Sequence, residues 1–314
     1  MYRALKIAIV VPCYNEERLI SKTVEIMPNY VDYILCINDG SKDNTLKVIK
    51  SLAKKNKRVI AIDNGSNLGV GATLTNGFKE ALRTDTDVIG VMAGDAQCDP
   101  EYLSRMLDEL IDGSYDYVKA NRFVHRDALK QMPRFRRLGN IFITILTKFS
   151  TGYYSIFDTQ NGYGVFTRQT MEDLSFDLIG KRYDYENTLL IALSIASAKI
   201  KDVAVPAIYG DEVSTIKFLP TATRALHVLW VGFWRRIYYK YILVGLHPIA
   251  LFLFSGIFLG GVGSLYGLYL LFERVIHDAS PSTGTVMLAV LPIILGFQHL
   301  LTAVTMDMNN EGRP

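Results

Sequence analysis

A short segment in the first third of the chain combines side chains that bind cations with residues that start helices. Residues 88–100 read VIGVMAGDAQCDP, an apolar run followed by Asp95, Gln97, Asp99 and Pro100. Asp before Pro is typical of a helix N-cap with proline at the first helical position, and we assign that role to Asp99. Asp95 lies too far before the helix to cap it. Its carboxylate is therefore a candidate for binding a ligand.

Three other apolar runs also end in polar segments. The segments PCYNEE, DGSKDNT and GSNLGVG follow apolar runs that begin at residues 6, 33 and 58. Asp43 precedes a helical pattern and suits its N-cap, because aspartate satisfies the unpaired amides of a first helical turn. Asp39 comes directly after the second run, where it is placed to accept a hydrogen bond from a base edge or a ribose.

The glycine-rich segment GVGATL at residues 69–74 has two interpretations. GxG between a strand and a helix can receive a pyrophosphate, as in dinucleotide-binding sites. Leu74 stands at the third glycine position and the segment follows the third strand, which argues against that fingerprint. We expect Asn67, Gly69 and Gly71 to form a tight loop beside a bound nucleotide, the alternative being an ordinary start of a helix.

Short β-branched runs alternate with helical patterns along this part of the chain. Strands are predicted at KIAIVVP, YILCIN, RVIAIDN, VIGVMA and YVKAN, with helices near 17–27, 44–56, 70–84 and 100–112 between them. The alternation predicts an α/β fold with a mostly parallel sheet that flanking helices cover on both faces. Ligands bind beyond the carboxyl ends of the strands in such sheets, so the four polar segments are expected to meet at one edge.

The alternation breaks down after residue 123. A basic helix is predicted near 133–149, followed by the turn-rich FDTQNGYGVF, a helix at 185–199 and a strand at 200–209. An amphipathic helix at 219–241 mixes aromatic and cationic side chains, which is typical of an interfacial anchor. The predicted domains are residues 1–218, the interfacial helix 219–241, and a membrane hairpin at 242–314.

The C-terminal end is apolar enough to enter a membrane. Residues 241–272 and 282–306 contain no Lys, Arg, Asp or Glu. Each stretch exceeds the roughly 20 apolar residues that cross a bilayer, so transmembrane helices are predicted near 245–271 and 284–306. A buried core hairpin is the alternative, which we disfavour because soluble helices that are apolar all round are seldom this long.

Charge and cysteine content indicate where the protein works. Arg224, Arg235, Arg236 and Lys240 precede the first predicted span, so the positive-inside rule predicts an integral membrane protein with both termini and the N-terminal domain in the cytoplasm. Three cysteines without CxxC spacing suit a reducing compartment. A net charge of +3 gives no indication of nucleic acid, and basic residues that cluster at 122–137 suit a phosphate-bearing or lipid-surface partner.

The motifs, taken in order, resemble those of a known family. VVPCYNEE, NDGSKDNT, NLGVGAT and GDAQCDP are similar to the family 2 glycosyltransferases with the GT-A nucleotide-sugar-binding fold. NRF, FDTQNGYGVF, YDYENTLL and IYGDEVSTI resemble elements of the polyprenyl-phosphate glycosyltransferases, so the resemblance covers residues 5–217. It implies an inverting enzyme that moves a hexose from a nucleotide-diphosphate sugar to polyprenyl (dolichyl or undecaprenyl) phosphate on the cytoplasmic face.

The resemblance also implies a donor site and a metal site. Its nucleotide-sugar-binding positions correspond here to Pro12, Tyr14, Asn15, Glu16, Asp39, Asn67, Gly69 and Lys217. Asp95 matches the second aspartate of the family's DxD signature, and we expect Asp95 and Gln97 to hold Mg²⁺ or Mn²⁺ with diphosphate oxygens and waters. Ala93 stands where the first aspartate is usual. One carboxylate makes a weaker site, so metal affinity should depend on the bound donor.

An acceptor phosphate would already be an anion at neutral pH, so the reaction needs no general base. Arg122 and Arg137 match basic positions of the family and are predicted to be catalytic, because guanidinium groups fit phosphate geometry. Asp95 is the third residue predicted to be catalytic. The predicted acceptor-binding residues are Arg134, placed by its spacing, and Asp158, Gln160 and Ser214. GDP-mannose, UDP-glucose and UDP-N-acetylglucosamine all remain candidate donors, and the two spans offer a surface on which protomers could form a homo-oligomer.

Two alternatives stay open. Transfer to a lipid-linked or growing saccharide would need a base, for which Glu186 is the candidate. Processive members of the fold usually add a QxxRW motif, whereas QMPRF at 131–135 has a different last residue and position. The second alternative is a non-catalytic nucleotide-sugar-binding partner of another transferase. It stays open because Ala93 stands where the family usually has its first aspartate.

Overall fold

The protein is described by a computed structural model that covers residues 1–96, 98–122, 134–182, 184–206, 218–243 and 245–312, the side chains of 134–138, 140 and 218–222 excepted. These residues form two compact units, Met1–Trp234 with Gly312, and Arg235–Glu311. The division falls inside the segment 219–241, which the sequence pattern assigns to one interfacial helix.

The first unit contains a mixed sheet. Its strands are β1 (Ile7–Cys13), β2 (Tyr33–Asn38), β3 (Val59–Asp63), β4 (Val88–Val91), β5 (Tyr117–Asn121), β6 (Gly164–Thr167) and β7 (Ile200–Ala204). Their spatial order is β3-β2-β1-β4-β6-β5-β7. The strand β6 is antiparallel to both neighbours, and the remaining pairs are parallel. The predicted α/β fold with a mostly parallel sheet is confirmed.

Helices cover both faces of this sheet. They are α1 (Ile20–Glu25), α2 (Thr45–Lys55), α3 (Val70–Leu82), α4 (Glu101–Asp112), α5 (Arg134–Thr151), α6 (Arg168–Asp173) and α7 (Tyr185–Ile195). Alternate residues of β1 enter two separate cores, because successive side chains of a strand point to opposite faces. Ile9 packs with α1, α2 and α4 on one face, and Val10 packs with α3 and α7 on the other. A strand buried on both faces reads as the continuous apolar run that the sequence shows.

The strand β6 was not predicted. It lies in the turn-rich FDTQNGYGVF, where four residues pair between β4 and β5. Gly164 makes this possible, because a Cβ at that position would lie 2.6 Å from the ring of Tyr117. The last strand ends at Ala204, earlier than the predicted 209, and residues 207–217 lie outside the described part of the chain.

The second unit is helical. It contains the last two residues of α8 (Phe218–Arg236), a π-helix at Ile237–Ile242, α9 (Pro248–His277) and α10 (Thr283–Asn309). Both α9 and α10 are long and apolar enough to cross a membrane, and only 22% and 17% of their most apolar windows are buried. They extend past the predicted spans. The two helices pack closely, since a Cβ on Gly296 would lie 2.5 Å from the backbone nitrogen of Gly260.

Candidate active site

The carboxyl ends of four parallel strands lie side by side. The register pairs Cys13 of β1 with Asn38 of β2, and Asn38 with Asp63 of β3, while β4 runs parallel to β1 on its other side. The polar segments that follow these strands therefore meet at one edge of the sheet, as the sequence predicts.

The first two polar segments are bound to each other. The side-chain oxygen of Asn15 accepts the Lys42 backbone N–H at 2.9 Å, and the Glu16 backbone N–H donates to the Thr45 hydroxyl at 2.8 Å. The side chain of Tyr14 is 42% exposed at the same edge. The described contacts of Asn15 and Glu16 thus fix the loop, and a nucleotide contact of either side chain stays a prediction.

Asp39 holds the third segment in place. It is 4% exposed, and its carboxylate accepts hydrogen bonds from the backbone of Leu68 at 2.8 Å and Gly69 at 3.0 Å and from the side chain of Asn64 at 3.1 Å. The backbone of Asn67 packs directly against Gly40, where a Cβ would lie 2.5 Å from the Asn67 nitrogen. The role that these contacts show for Asp39 is to order the loop, and its contact with a base or ribose stays a prediction.

Close contacts within the protein explain why the two glycine positions of GVGATL have no side chain. A Cβ on Gly71 would lie 2.0 Å from the Gly180 carbonyl oxygen, and one on Gly69 would lie 2.6 Å from that of Lys181. The Ala72 backbone N–H, in the first turn of α3, donates to the Lys181 carbonyl at 3.0 Å. The segment at 180–181 therefore occupies the helix N-terminus that a pyrophosphate would need, which argues against the dinucleotide interpretation.

A cleft of about 240 Å³ opens at the carboxyl edge of the sheet. Four of the predicted site residues line it, although they come from distant parts of the sequence: Pro12, Asp95, Arg122 and Gln160. Asp99 and Glu186 line the same cleft, and so does Ala93. The position at which the family usually has its first aspartate thus faces the same space as Asp95.

Asp99 lies at the start of α4, although the N-cap is Pro100 and not Asp99 as predicted, and the metal-binding role of Asp95 stays a prediction. The Asp99 carboxylate accepts the Glu101 backbone N–H at 2.9 Å, at the first residue of α4. Among the described residues no group of three or more His, Cys, Asp and Glu side chains could hold a metal ion. A divalent cation at Asp95 would therefore take most of its oxygen ligands from the donor's phosphates and from water, which suits Mg²⁺ or Mn²⁺.

Arg122 is oriented by a fully buried carboxylate. Its Nε and Nη2 donate to the two oxygens of Asp158 at 2.8 and 3.1 Å, and its backbone N–H donates to the same carboxylate at 3.1 Å. Asp158 is 0% exposed. Burial alone would raise the pKa of Asp158, but hydrogen bonds from Arg122 and the charge of Lys119 outweigh it and lower the pKa. The pair is therefore ionised at neutral pH, and the guanidinium has a fixed position at the cleft.

Two buried charges on neighbouring strands support the Asp158 segment. The ammonium of Lys119, on β5, donates to the Asp158 carbonyl oxygen. Asp202, its partner across β5 and β7, accepts the Phe157 backbone N–H at 2.8 Å and the Asn121 side chain at 2.9 Å. The Asp202 Oδ1 atom is buried and has no hydrogen-bond partner among the described residues. Burial lowers the pKa of Lys119 and raises that of Asp202.

Glu186 is the second acidic group of the cleft wall. It follows the first residue of α7, and its carboxyl faces Gly162, where a Cβ would lie 4.0 Å from its Oε1. Burial raises the pKa of Glu186 to about 7, although the charges of Lys119 and Arg122 act in the opposite direction. This carboxyl can therefore take up or release a proton near neutral pH.

Several predicted residues lie outside the described part of the chain. Gln97, Ser214 and Lys217 are among them. Arg134 and Arg137 lie on α5, but their side chains are outside it as well. The roles predicted for these five residues stay predictions.

The sequence pattern did not lead us to predict that Lys119 and Asp202 hold the segment of Asp158, the carboxylate that orients Arg122. Lys119 and Asp202 both carry charge inside predicted strands, YVKAN and 200–209. A charged residue in a strand that is covered on both faces must be paired or hydrogen-bonded, since burying an isolated charge is costly. That signal was present in the sequence, but the partner of each charge depends on the strand order.

Together, the mostly parallel sheet and the carboxylate-containing cleft at its carboxyl edge are typical of an α/β enzyme. The model of glycosyl transferase family 2 matches residues 8–174, more than half of the chain. The chain therefore belongs to glycosyltransferase family 2, and it is a glycosyltransferase.

Two relatives are similar to this chain over more than half of its length. The UDP-N-acetylglucosamine–dolichyl-phosphate N-acetylglucosaminyltransferase of Methanococcus voltae is 30% identical over 218 residues, 65% of this chain and 86% of the relative. The polyprenol monophosphomannose synthase of Mycolicibacterium smegmatis is 27% identical over 179 residues, 55% of this chain and 66% of the relative.

A solved structure shares the fold. Glucosyl-3-phosphoglycerate synthase from Mycobacterium tuberculosis, crystallised with Mn²⁺, UDP and phosphoglyceric acid, superposes with a TM-score of 0.56 at 16% identity. The match covers 73% of this chain and 78% of that one. The GT-A fold implied by the sequence motifs is confirmed.

Proposed function

We propose that this protein transfers a hexose from a nucleotide-diphosphate sugar to polyprenyl phosphate. The observation that carries the proposal is the fixed guanidinium of Arg122 in the same cleft as Asp95. A guanidinium held by a buried carboxylate is suited to position a phosphate oxygen, since its geometry matches that of phosphate. Both reported relatives have a polyprenol-type phosphate in their names, which supports this acceptor class.

The reaction is a single displacement. An oxygen of the acceptor phosphate forms a bond to the anomeric carbon, and the bond from that carbon to the nucleoside diphosphate breaks, so the configuration is inverted. The attacking oxygen is already an anion, and Arg122 orients it. A divalent cation bound at Asp95 would stabilise the negative charge that develops on the diphosphate, and Mn²⁺ in the M. tuberculosis structure supports such an ion.

The proposed location is a cytoplasmic membrane surface. The helices α9 and α10 are long and apolar enough to cross a bilayer, and a polyprenyl acceptor is itself a membrane lipid. Four basic residues precede the first span, which supports a cytoplasmic catalytic unit under the positive-inside rule.

Transfer to lipid is tested with the purified full-length protein, a radiolabelled donor and polyprenyl phosphate. We expect a chloroform-soluble monosaccharide lipid, and we expect Asp95→Ala to lose activity by about a hundredfold or more, because the diphosphate charge loses its ion. Asp177→Ala, an exposed aspartate outside the cleft, is the matched control. Absence of lipid product from the wild type would contradict the acceptor, and normal activity of Asp95→Ala would contradict the metal role.

The donor is tested separately. The names of the two relatives differ in the sugar, N-acetylglucosamine in one and mannose in the other. Thermal-shift measurements with GDP-mannose, UDP-glucose and UDP-N-acetylglucosamine, each with and without Mn²⁺, should show one donor whose stabilising effect depends on the ion.

Transfer to a saccharide hydroxyl is the second candidate function. Glu186 favours it, because a carboxyl with a pKa of about 7 in the cleft wall suits a general base for a hydroxyl acceptor. Under that function Glu186→Gln would lose turnover. Near-normal transfer to polyprenyl phosphate by Glu186→Gln would exclude the requirement for a base.

A further inference from the structure

A buried ion pair joins Arg236, which precedes α9, to Asp307 near the C-terminal end of α10. Arg236 donates from Nη1 and Nη2 to the two oxygens of Asp307 at 2.7 and 2.9 Å. The two side chains are 1% and 8% exposed. The Tyr241 hydroxyl donates to Asp307 Oδ1 at 2.5 Å. Three hydrogen bonds therefore occupy the one carboxylate of this group, and the charge of Arg236 is neutralised.

Lys240 lies next to this pair without a carboxylate of its own. Its side chain is half-buried, and its ammonium lies 5.9 Å from the centre of the Tyr241 ring. Within the described residues of the second unit its nitrogen has no hydrogen-bond acceptor. Burial and the charge of Arg236 lower the pKa of Lys240 to about 8, and the charge of Asp307 only partly opposes them. The charges that act on Lys240 are thus one cation, Arg236, and one carboxylate, Asp307, so one positive charge of this group has no counter-ion among the described residues.

The position of this charge indicates what balances it. Lys240 lies in the π-helix, in which the Leu243 backbone N–H donates to the Tyr238 carbonyl at 3.0 Å. π-helical turns are rare and frequently mark functional sites. Tyr239 and Leu246 are exposed on the same segment, and α9 begins shortly afterwards at Pro248. Cations and aromatic side chains directly before a span lie at the level of the lipid headgroups.

We propose that Lys240 binds the phosphate headgroup of an anionic phospholipid, at a site that the Arg236–Asp307 pair and Tyr241 build. A headgroup phosphate supplies the negative charge and the acceptor oxygens that the ammonium lacks among the described residues. The site belongs to the second unit alone, so it does not depend on the acceptor proposed for the cleft.

The experiment uses the full-length protein in nanodiscs of phosphatidylcholine alone and of phosphatidylcholine with phosphatidylglycerol. Phosphatidylglycerol should raise the Tm of the wild type, on the order of 2–4 °C, because a ligand that binds the folded state stabilises it. Lys240→Gln should lose at least half of that rise, and Lys240→Arg should keep it. Lys240→Met, which retains the apolar part of the side chain, replaces Lys240→Gln if the latter does not fold.

Arg235→Gln is the matched control, since it removes the same charge from an exposed side chain one turn away. It should keep the rise in Tm. An unchanged rise in Lys240→Gln, or an equal loss in Arg235→Gln, would overturn the site in favour of general surface attraction. An equal rise from inorganic phosphate in phosphatidylcholine nanodiscs would overturn the lipid as the source of the phosphate.

Discussion

At the scale of single residues, three carboxyls near the same cleft have different protonation because their surroundings differ. Asp158 has a guanidinium on both oxygens and a lowered pKa. Glu186 has no such partner among the described residues, and burial raises its pKa to about 7. Burial also raises the pKa of Asp202, and one of its carboxylate oxygens has no hydrogen-bond partner among the described residues. Burial opposes ionisation in all three, and only the direct ion pair overcomes it.

Asp158→Asn tests whether this ion pair positions the acceptor. The amide keeps the shape but removes the charge, so Arg122 loses its fixed orientation. Hydrogen bonds to charged groups contribute about 1.5–3 kcal/mol, so we expect the KM for polyprenyl phosphate to rise about tenfold to a hundredfold. The KM for the donor should change less than threefold. Equal rises in both KM values would show general damage to the cleft and contradict the positioning role.

Glu186→Gln tests the raised pKa through stability. The pKa of Glu186 in the folded protein, about 7, lies above the ordinary glutamate value of 4.5, so the folded protein disfavours the ionised carboxyl. The cost is absent below pH 4.5 and develops fully as the pH rises through 7. We expect Glu186→Gln to be more stable than the wild type at pH 8, by at most about 3 kcal/mol, and similar to it at pH 5.

The measurement is the difference in Tm between Glu186→Gln and the wild type at the two pH values. Glu25→Gln, at an exposed glutamate on α1, is the control and should show the same Tm difference from the wild type at both pH values. A difference that is equal at pH 5 and pH 8 would contradict the raised pKa.

At the scale of elements, the sequence predicts what depends on local pattern. The apolar runs of β1 to β5 predicted their strands, and the parallel arrangement predicted that the polar segments after β1 to β4 would meet. The strand β6 has only four residues and lies at the end of a turn-rich segment, so neither length nor alternation indicates it. The roles of Gly69 and Gly71 depend on residues 180–181, far along the chain, and no local pattern indicates that contact.

Gly71→Ala tests the packing of α3 against that segment. The new Cβ would lie 2.0 Å from the Gly180 carbonyl oxygen, so the backbone must shift. We expect a loss of about 1–3 kcal/mol in the free energy of unfolding, measured as a fall in Tm. Gly162→Ala is the control, because the nearest heavy atom would be 4.0 Å away. An unchanged Tm for Gly71→Ala would show that the contact is not tight in solution.

At the scale of the whole molecule, the proposed function assigns a water-soluble donor to the first unit and a lipid to the second. The cleft lies entirely in the first unit, and the two long apolar helices lie in the second. A transferase that moves sugar from a nucleotide to a polyprenyl phosphate needs both, because its two substrates occupy different phases. Glycosyl transfer itself does not require apolar helices. Access to a lipid acceptor is a physical reason for the chain to have them.

The proposed orientation is tested with single added cysteines in membrane vesicles. Ser280→Cys lies in the exposed loop between α9 and α10, and Lys57→Cys lies on the surface of the catalytic unit. We expect a membrane-impermeant maleimide to label Ser280→Cys in right-side-out vesicles and Lys57→Cys only in inverted ones. Labelling of the three native cysteines should be low, since Cys13 and Cys36 are buried and burial raises the pKa of Cys98 to about 11. Labelling of both added cysteines from the same side of sealed vesicles would contradict a hairpin with a cytoplasmic catalytic unit.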